Sequence, residues 1–178
     1  MRIEQTMEAP DRLVSRLYPD EGENIIRTFY FYHLTFRKEL RLKGELIIPE
    51  GVEIIEKEAL NHLMVDFKVI HLPKSLTRLG ENMLSGYSGY KVFYAGDSET
   101  FQKIAAIREE SVCATDGFDH APYYSGNSAR VKICRCFDGI ADSVEVYCEE
   151  DGVTLLYGTR HRASDAPPKI IPPDTKKD

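Results

Sequence analysis

The sequence predicts an α+β fold: a short repeat solenoid, covered at its N-terminal end by aromatic strands and followed by a C-terminal antiparallel β meander. Three observations carry this. Ile48-Pro49-Glu50-Gly51-Val52 recurs as Leu72-Pro73-Lys74-Ser75-Leu76, with Ile55 answered by Leu79 and Leu60 by Leu84, each 24 positions on. A fixed period of about 20–29 residues marks units that bury their apolar ridge against their neighbours. Upstream, Phe29, Tyr30, Phe31, Tyr32 and Phe36 crowd one stretch, and aromatic residues favour strands. Downstream, Val131–Phe137, Ser143–Cys148 and Val153–Tyr157 read as strands, the last two joined by Glu149-Glu150-Asp151-Gly152 as a tight hairpin loop.

The expected segments are 1–42, 43–118, 129–162 and 163–178. In the first, Ala9 to Leu17 suits a helix: Pro10 stands in its first turn, and Leu13 and Leu17 share one side. Pro19-Asp20-Glu21-Gly22 then breaks it. The aromatic stretch from Ile25 to Leu42 supplies one or two strands that cap the open end of the repeats. In the second segment, Phe67, Ile70 and Leu72 face inward on a strand that Pro73 stops, because proline offers no N–H to a ladder. Leu76, Leu79 and Met83-Leu84 then suit helical turns on the far side. The third segment is the meander. The fourth holds Pro167, Pro168, Pro172 and Pro173 with few apolar residues, and is expected to be an extended or disordered tail.

The repeats resemble leucine-rich repeats of the BspA-like class, whose unit runs apolar-x-Pro-x-x-Val-x-x-Ile-Gly-x-x-Ala-Phe. Ile48-Pro49-Glu50-Gly51-Val52 and Leu79-Gly80-Glu81-Asn82-Met83-Leu84 carry the match. Val92-Phe93-Tyr94-Ala95-Gly96-Asp97, then Phe101 and Ile104, resemble the closing strand, turn and short helix. Val112 to Gly117 resembles the strand that often follows. The chain departs from the pattern at Leu60 and Leu84, where Phe is commoner, and at Asp97, where Thr is commoner.

Composition narrows the function classes. Lys plus Arg is 23 and Asp plus Glu is 29, a net charge of -6. Direct nucleic-acid binding needs clustered cations and is not expected. No apolar run approaches the roughly 20 residues of a membrane helix, so no membrane partner is expected. Met1-Arg2-Ile3-Glu4-Gln5 lacks the apolar core of a signal peptide, so a cytoplasmic location is expected, with reduced thiols.

No catalytic residue, metal ligand or cofactor is expected. Cys134-x-Cys136 is not a zinc knuckle, and a strand would place both thiols on one face as small buried residues. His120 near Cys113, Asp116 and Asp119 invites a nucleophilic reading without a local signature for it. The leading expectation is a non-enzymatic module that binds a protein partner through an exposed sheet face. Its outward column is Ile47, His71 and Phe93, flanked by Glu45, Val69 and Lys91, with Tyr87 and Tyr90 on the neighbouring loop. The target on this reading is a host or phage protein. A narrower version makes the chain an acidic inhibitor of a nucleic-acid-binding protein. The alternative is a metal-binding or catalytic protein using Cys113, His120 and the cysteines at 134–148. Oligomeric state stays open, since exposed end strands can pair edge to edge.

Overall fold

Arg2, Glu4, Thr6 and Glu8 alternate with Ile3, Gln5 and Met7, and that period of two builds a strand. The computed structural model describes residues 2–27, 30–31, 42–60, 65–80, 91–106, 144–157 and 168–174. In it β1 (Arg2–Ala9) turns at Pro10 and Asp11 into β2 (Arg12–Tyr18), antiparallel, with Ile3 opposite Leu17 and Gln5 opposite Ser15. The helix expected from Ala9 to Leu17 is corrected. Leu13 and Leu17 do sit four apart, but Leu13, Ser15 and Leu17 stand opposite Met7, Gln5 and Ile3 in a ladder, so a neighbouring strand and not a helical turn satisfies the backbone.

Further strands follow: β3 (Ile25–Ile26), β4 (Leu42–Ile47), β5 (Ile54–Ile55), β6 (Val65–Leu72), β7 (Arg78–Leu79), β8 (Lys91–Tyr94), β9 (Val144–Cys148), β10 (Thr154–Tyr157) and β11 (Lys169–Ile171). The main sheet runs β1-β2-β4-β6-β8-β9-β10-β11. Its five central strands, β2 to β9, pair in parallel, and an antiparallel strand or hairpin finishes each side. β4 meets β6 with Leu46 opposite Ile70, and β6 meets β8 with Ile70 opposite Val92.

One irregularity explains the spacing of Phe67 and Ile70. Gly44 pairs with Phe67 but Glu45 pairs with Val69, so Lys68 is an extra residue in β6. That bulge lets two inward side chains stand three apart in sequence. Gly44 sits at φ +87°, and a Cβ there would lie 2.3 Å from the Leu13 carbonyl oxygen. Glycine alone lets β4 lie this close to β2.

The fold-class expectation is overturned. Strands make up 52% of the described residues, which hold a mixed eight-stranded sheet and one short helix between strands, so the architecture is sheet-dominated and not an α+β repeat solenoid. Where helical turns were expected, Ile54–Ile55 and Arg78–Leu79 are strands β5 and β7, and with β3 they form a second, three-stranded parallel sheet. The reason lies in the backbone. Glu56 N–H donates to the Ile26 carbonyl (2.9 Å) and Gly80 N–H to the Ile55 carbonyl (2.7 Å). These groups are satisfied between neighbouring segments, so a helical turn has nothing left to satisfy. The helix α1 (Ser98–Ala106) lies against β7.

The core sits between the two sheets. Leu46, Ile70, Val92, Val146 and Leu155 come from the main sheet, and Val52, Ile55, Leu76, Leu79 and Phe101 from the other layer. Phe31 is fully buried with its ring 5.9 Å edge-on from Phe67. Of the aromatic stretch expected as capping strands, Tyr30 and Phe31 are helical instead, Tyr30 N–H donating to the Arg27 carbonyl at 3.0 Å. Phe29, Tyr32 and Phe36 lie outside the described residues.

β9 pairs with β8 in parallel, with Val92 opposite Val146, and so continues the main sheet. Val131–Phe137 lies outside the described residues. The expected tail is corrected in part: Lys169–Ile171 forms β11, antiparallel to β10. Backbone pairing holds it, since all three side chains are exposed.

Candidate functional site

The parallel register places Ile47, His71, Phe93 and Tyr147 opposite one another across β4, β6, β8 and β9. Side chains alternate along each strand, so this line faces away from the core that Leu46, Ile70, Val92 and Val146 fill. The His71 ring stacks on Phe93 with centroids 5.1 Å apart and 14° between planes. Tyr147 meets Phe93 edge-on at 5.9 Å. Ile47, His71 and Phe93 are half-buried by their neighbours, and Tyr147 is 39% exposed.

Charged groups border the row. Arg12 forks onto Glu45, Nε to Oε1 at 2.8 Å and Nη2 to Oε2 at 3.0 Å. His71 Nε2 lies 3.3 Å from the same Glu45 Oε2. An ionised carboxylate only accepts, so this ring nitrogen carries the proton. The Arg12 hydrogen bonds hold the Glu45 carboxyl below its ordinary range against partial burial, and His71 adds to them. Glu8 bridges Arg12 (3.0 Å) and Arg16. The network therefore fixes the His71 ring against Phe93 from one side. Val69 and Lys91 pair in the adjacent line, which continues to Glu145.

Five expected site residues thus come together: Ile47, Val69, His71, Lys91 and Phe93. Tyr87 and Tyr90 lie outside the described residues, as do Cys113, His120, Cys134 and Cys136. Cys148 is described, and it is a free, fully buried thiol that burial pushes up to about 12. A thiol held that far from ionisation is a poor nucleophile or metal ligand. Among the described residues no group of three His, Cys, Asp or Glu is placed to hold a metal ion. Among them, too, no helix is long and apolar enough to cross a membrane.

Tyr147 and Arg12 escaped sequence reasoning. Tyr147 has the right parity in its strand, but Phe93 lies 54 positions away (147 − 93) and no repeat links them. Arg12 was hidden by reading its segment as a helix. The chain matches no family model, no curated protein and no solved structure.

Proposed function

We propose that this protein is a non-enzymatic interaction module that binds a protein partner through the outer face of the main sheet. The observation that supports it most is the row Ile47–His71–Phe93–Tyr147: three rings in contact on adjacent strands, bordered by the Glu45–Arg12–Glu8–Arg16 ion network. An apolar, aromatic centre inside a charged rim is the composition of a recognition surface. The rings are already in contact and the ion network already formed, so binding need order little. The chemistry fits a partner that presents an apolar or aromatic side chain to Phe93 and Tyr147 and polar groups to the rim. The reading includes a cytoplasmic location, which the free thiol of Cys148 supports.

The test is a quantitative pull-down from the source cell with the whole chain and with the triple variant His71→Ala, Phe93→Ala, Tyr147→Ala. A protein retained by the former and lost by the folded variant is the expected result. A partner set that the triple variant retains in full contradicts the reading.

A further inference from the structure

The two sides of the main sheet end differently. β11 is three residues long and runs into Pro172 and Pro173, which carry no N–H. β1 is eight residues long, and among the described residues no strand pairs with its far side. A long unpaired strand is a template for another chain. Charges on such a strand ordinarily repel a second copy, yet those on β1 are arranged so that they do not.

We infer that β1 pairs antiparallel with β1 of a second copy, about a two-fold axis at Gln5. In this register Arg2 faces Glu8 of the other copy, Ile3 faces Met7, and Glu4 faces Thr6. Opposite charges meet, and so do the two apolar side chains. The match depends on register. A slip that brings Glu4 opposite Glu4, or Glu4 opposite Glu8, sets like charges against each other, which is unfavourable for directly opposed pairs. Faces agree as well. Arg2, Glu4, Thr6 and Glu8 belong to the outer face, where Glu8 meets Arg12 and Arg16. Ile3 and Met7 belong to the inner side, Ile3 packing on the core while Met7 is left 62% exposed. Among the described residues no side chain covers that methionine. Pairing would cover it with Ile3 of the other copy.

A two-fold axis perpendicular to the sheet keeps both outer faces on one side. Four strand spacings in each copy and one across the axis separate the two β8 strands. At about 4.8 Å each, the two aromatic rows stand about 40 Å apart. The dimer is bivalent on a single face.

Analytical ultracentrifugation of the whole chain, over a wide concentration range, tests this. A reversible dimer is expected. Arg2→Glu should weaken it about tenfold, because two opposed pairs change from attraction to repulsion. Met7→Lys should weaken it similarly, while Glu4→Arg, facing Thr6, should leave it nearly unchanged. All three positions are exposed, so melting temperature measured at monomeric concentration should hold and separate lost pairing from lost folding. A monomer at every concentration overturns the inference. So does a dimer that Arg2→Glu and Met7→Lys both leave intact, or one that Glu4→Arg disrupts as strongly as they do.

Discussion

Asp151 ties the β9–β10 turn to the start of α1: its Oδ2 accepts from both the backbone N–H (2.9 Å) and the hydroxyl (2.7 Å) of Ser98. The other oxygen accepts from Val153 N–H at 3.1 Å. The link spans 53 positions of sequence. Asp97 caps the same helix, accepting from the Thr100 N–H and hydroxyl, each at 2.8 Å. Two carboxylates thus answer the unpaired N–H groups and positive end of one helix. Asp151→Ala should lower stability by about 1 kcal/mol, the ordinary scale of a lost cap. Chemical denaturation of the two proteins checks it, and an unchanged midpoint and slope would contradict it.

Acid should act through the same groups. Partial burial raises Asp151, but the Ser98 and Val153 hydrogen bonds outweigh it and hold the carboxyl below its ordinary value. The Thr100 N–H, then its hydroxyl, depress Asp97. A depressed folded value means the stabilisation is fully present above the unfolded value, near 4. It is then lost as pH falls through the lower folded value. Melting temperature should therefore drop steeply below about pH 4. Asp151→Asn should start lower and lose less over that range. Parallel acid limbs for the two proteins would contradict this origin.

Gly44→Ala should be disproportionately damaging for so small a change. The new methyl would meet the Leu13 carbonyl, and φ +87° disfavours any side chain. The cost should be about 2 kcal/mol or more. Thermal melts of Gly44→Ala and of Gly51→Ala separate the two causes. Gly51 shares the positive φ, at +94°, but has open space around its Cβ position. Gly44→Ala should melt lower, and equal melting would show that the close approach to β2 carries no weight.

Cys148 should resist modification. Its thiol is fully buried and burial pushes it up to about 12. In native protein at pH 8 a maleimide should leave Cys148 unlabelled, and denaturant should expose it. Peptide mapping reads this residue separately from the other cysteines. Fast native labelling at Cys148 would refute its place in the core.

Much of the sheet's register was legible and much of its edge was not. The offset between Ile48 and Leu72 reappears in the pairing of Leu46 with Ile70, because parallel neighbours repeat the same inward positions. That alternation also put Ile47, His71 and Phe93 in one outward row. The class was misread at Ile54–Ile55 and Arg78–Leu79, where two-residue strands are too short to show a period and only their neighbours' carbonyls decide. Arg12 to Tyr18 was misread because Leu13 and Leu17 satisfy helical spacing, while the alternation that decides the matter lies in the preceding strand. Tyr147 joined the row through a pairing between segments remote in sequence, which no local pattern encodes.

On the proposed function, the row on the outer face carries partner affinity and not fold stability. Titration calorimetry of the recovered partner against the parent chain and Phe93→Ala, with a melt of each and of Leu79→Ala, tests it most directly. Leu79 is 3% exposed in the core, so Leu79→Ala should cost about 2–5 kcal/mol of stability. Phe93→Ala should weaken binding by about 1–3 kcal/mol while moving the melt far less. Undiminished affinity of folded Phe93→Ala, or a melt lowered as far as that of Leu79→Ala, would rule out this role for the row.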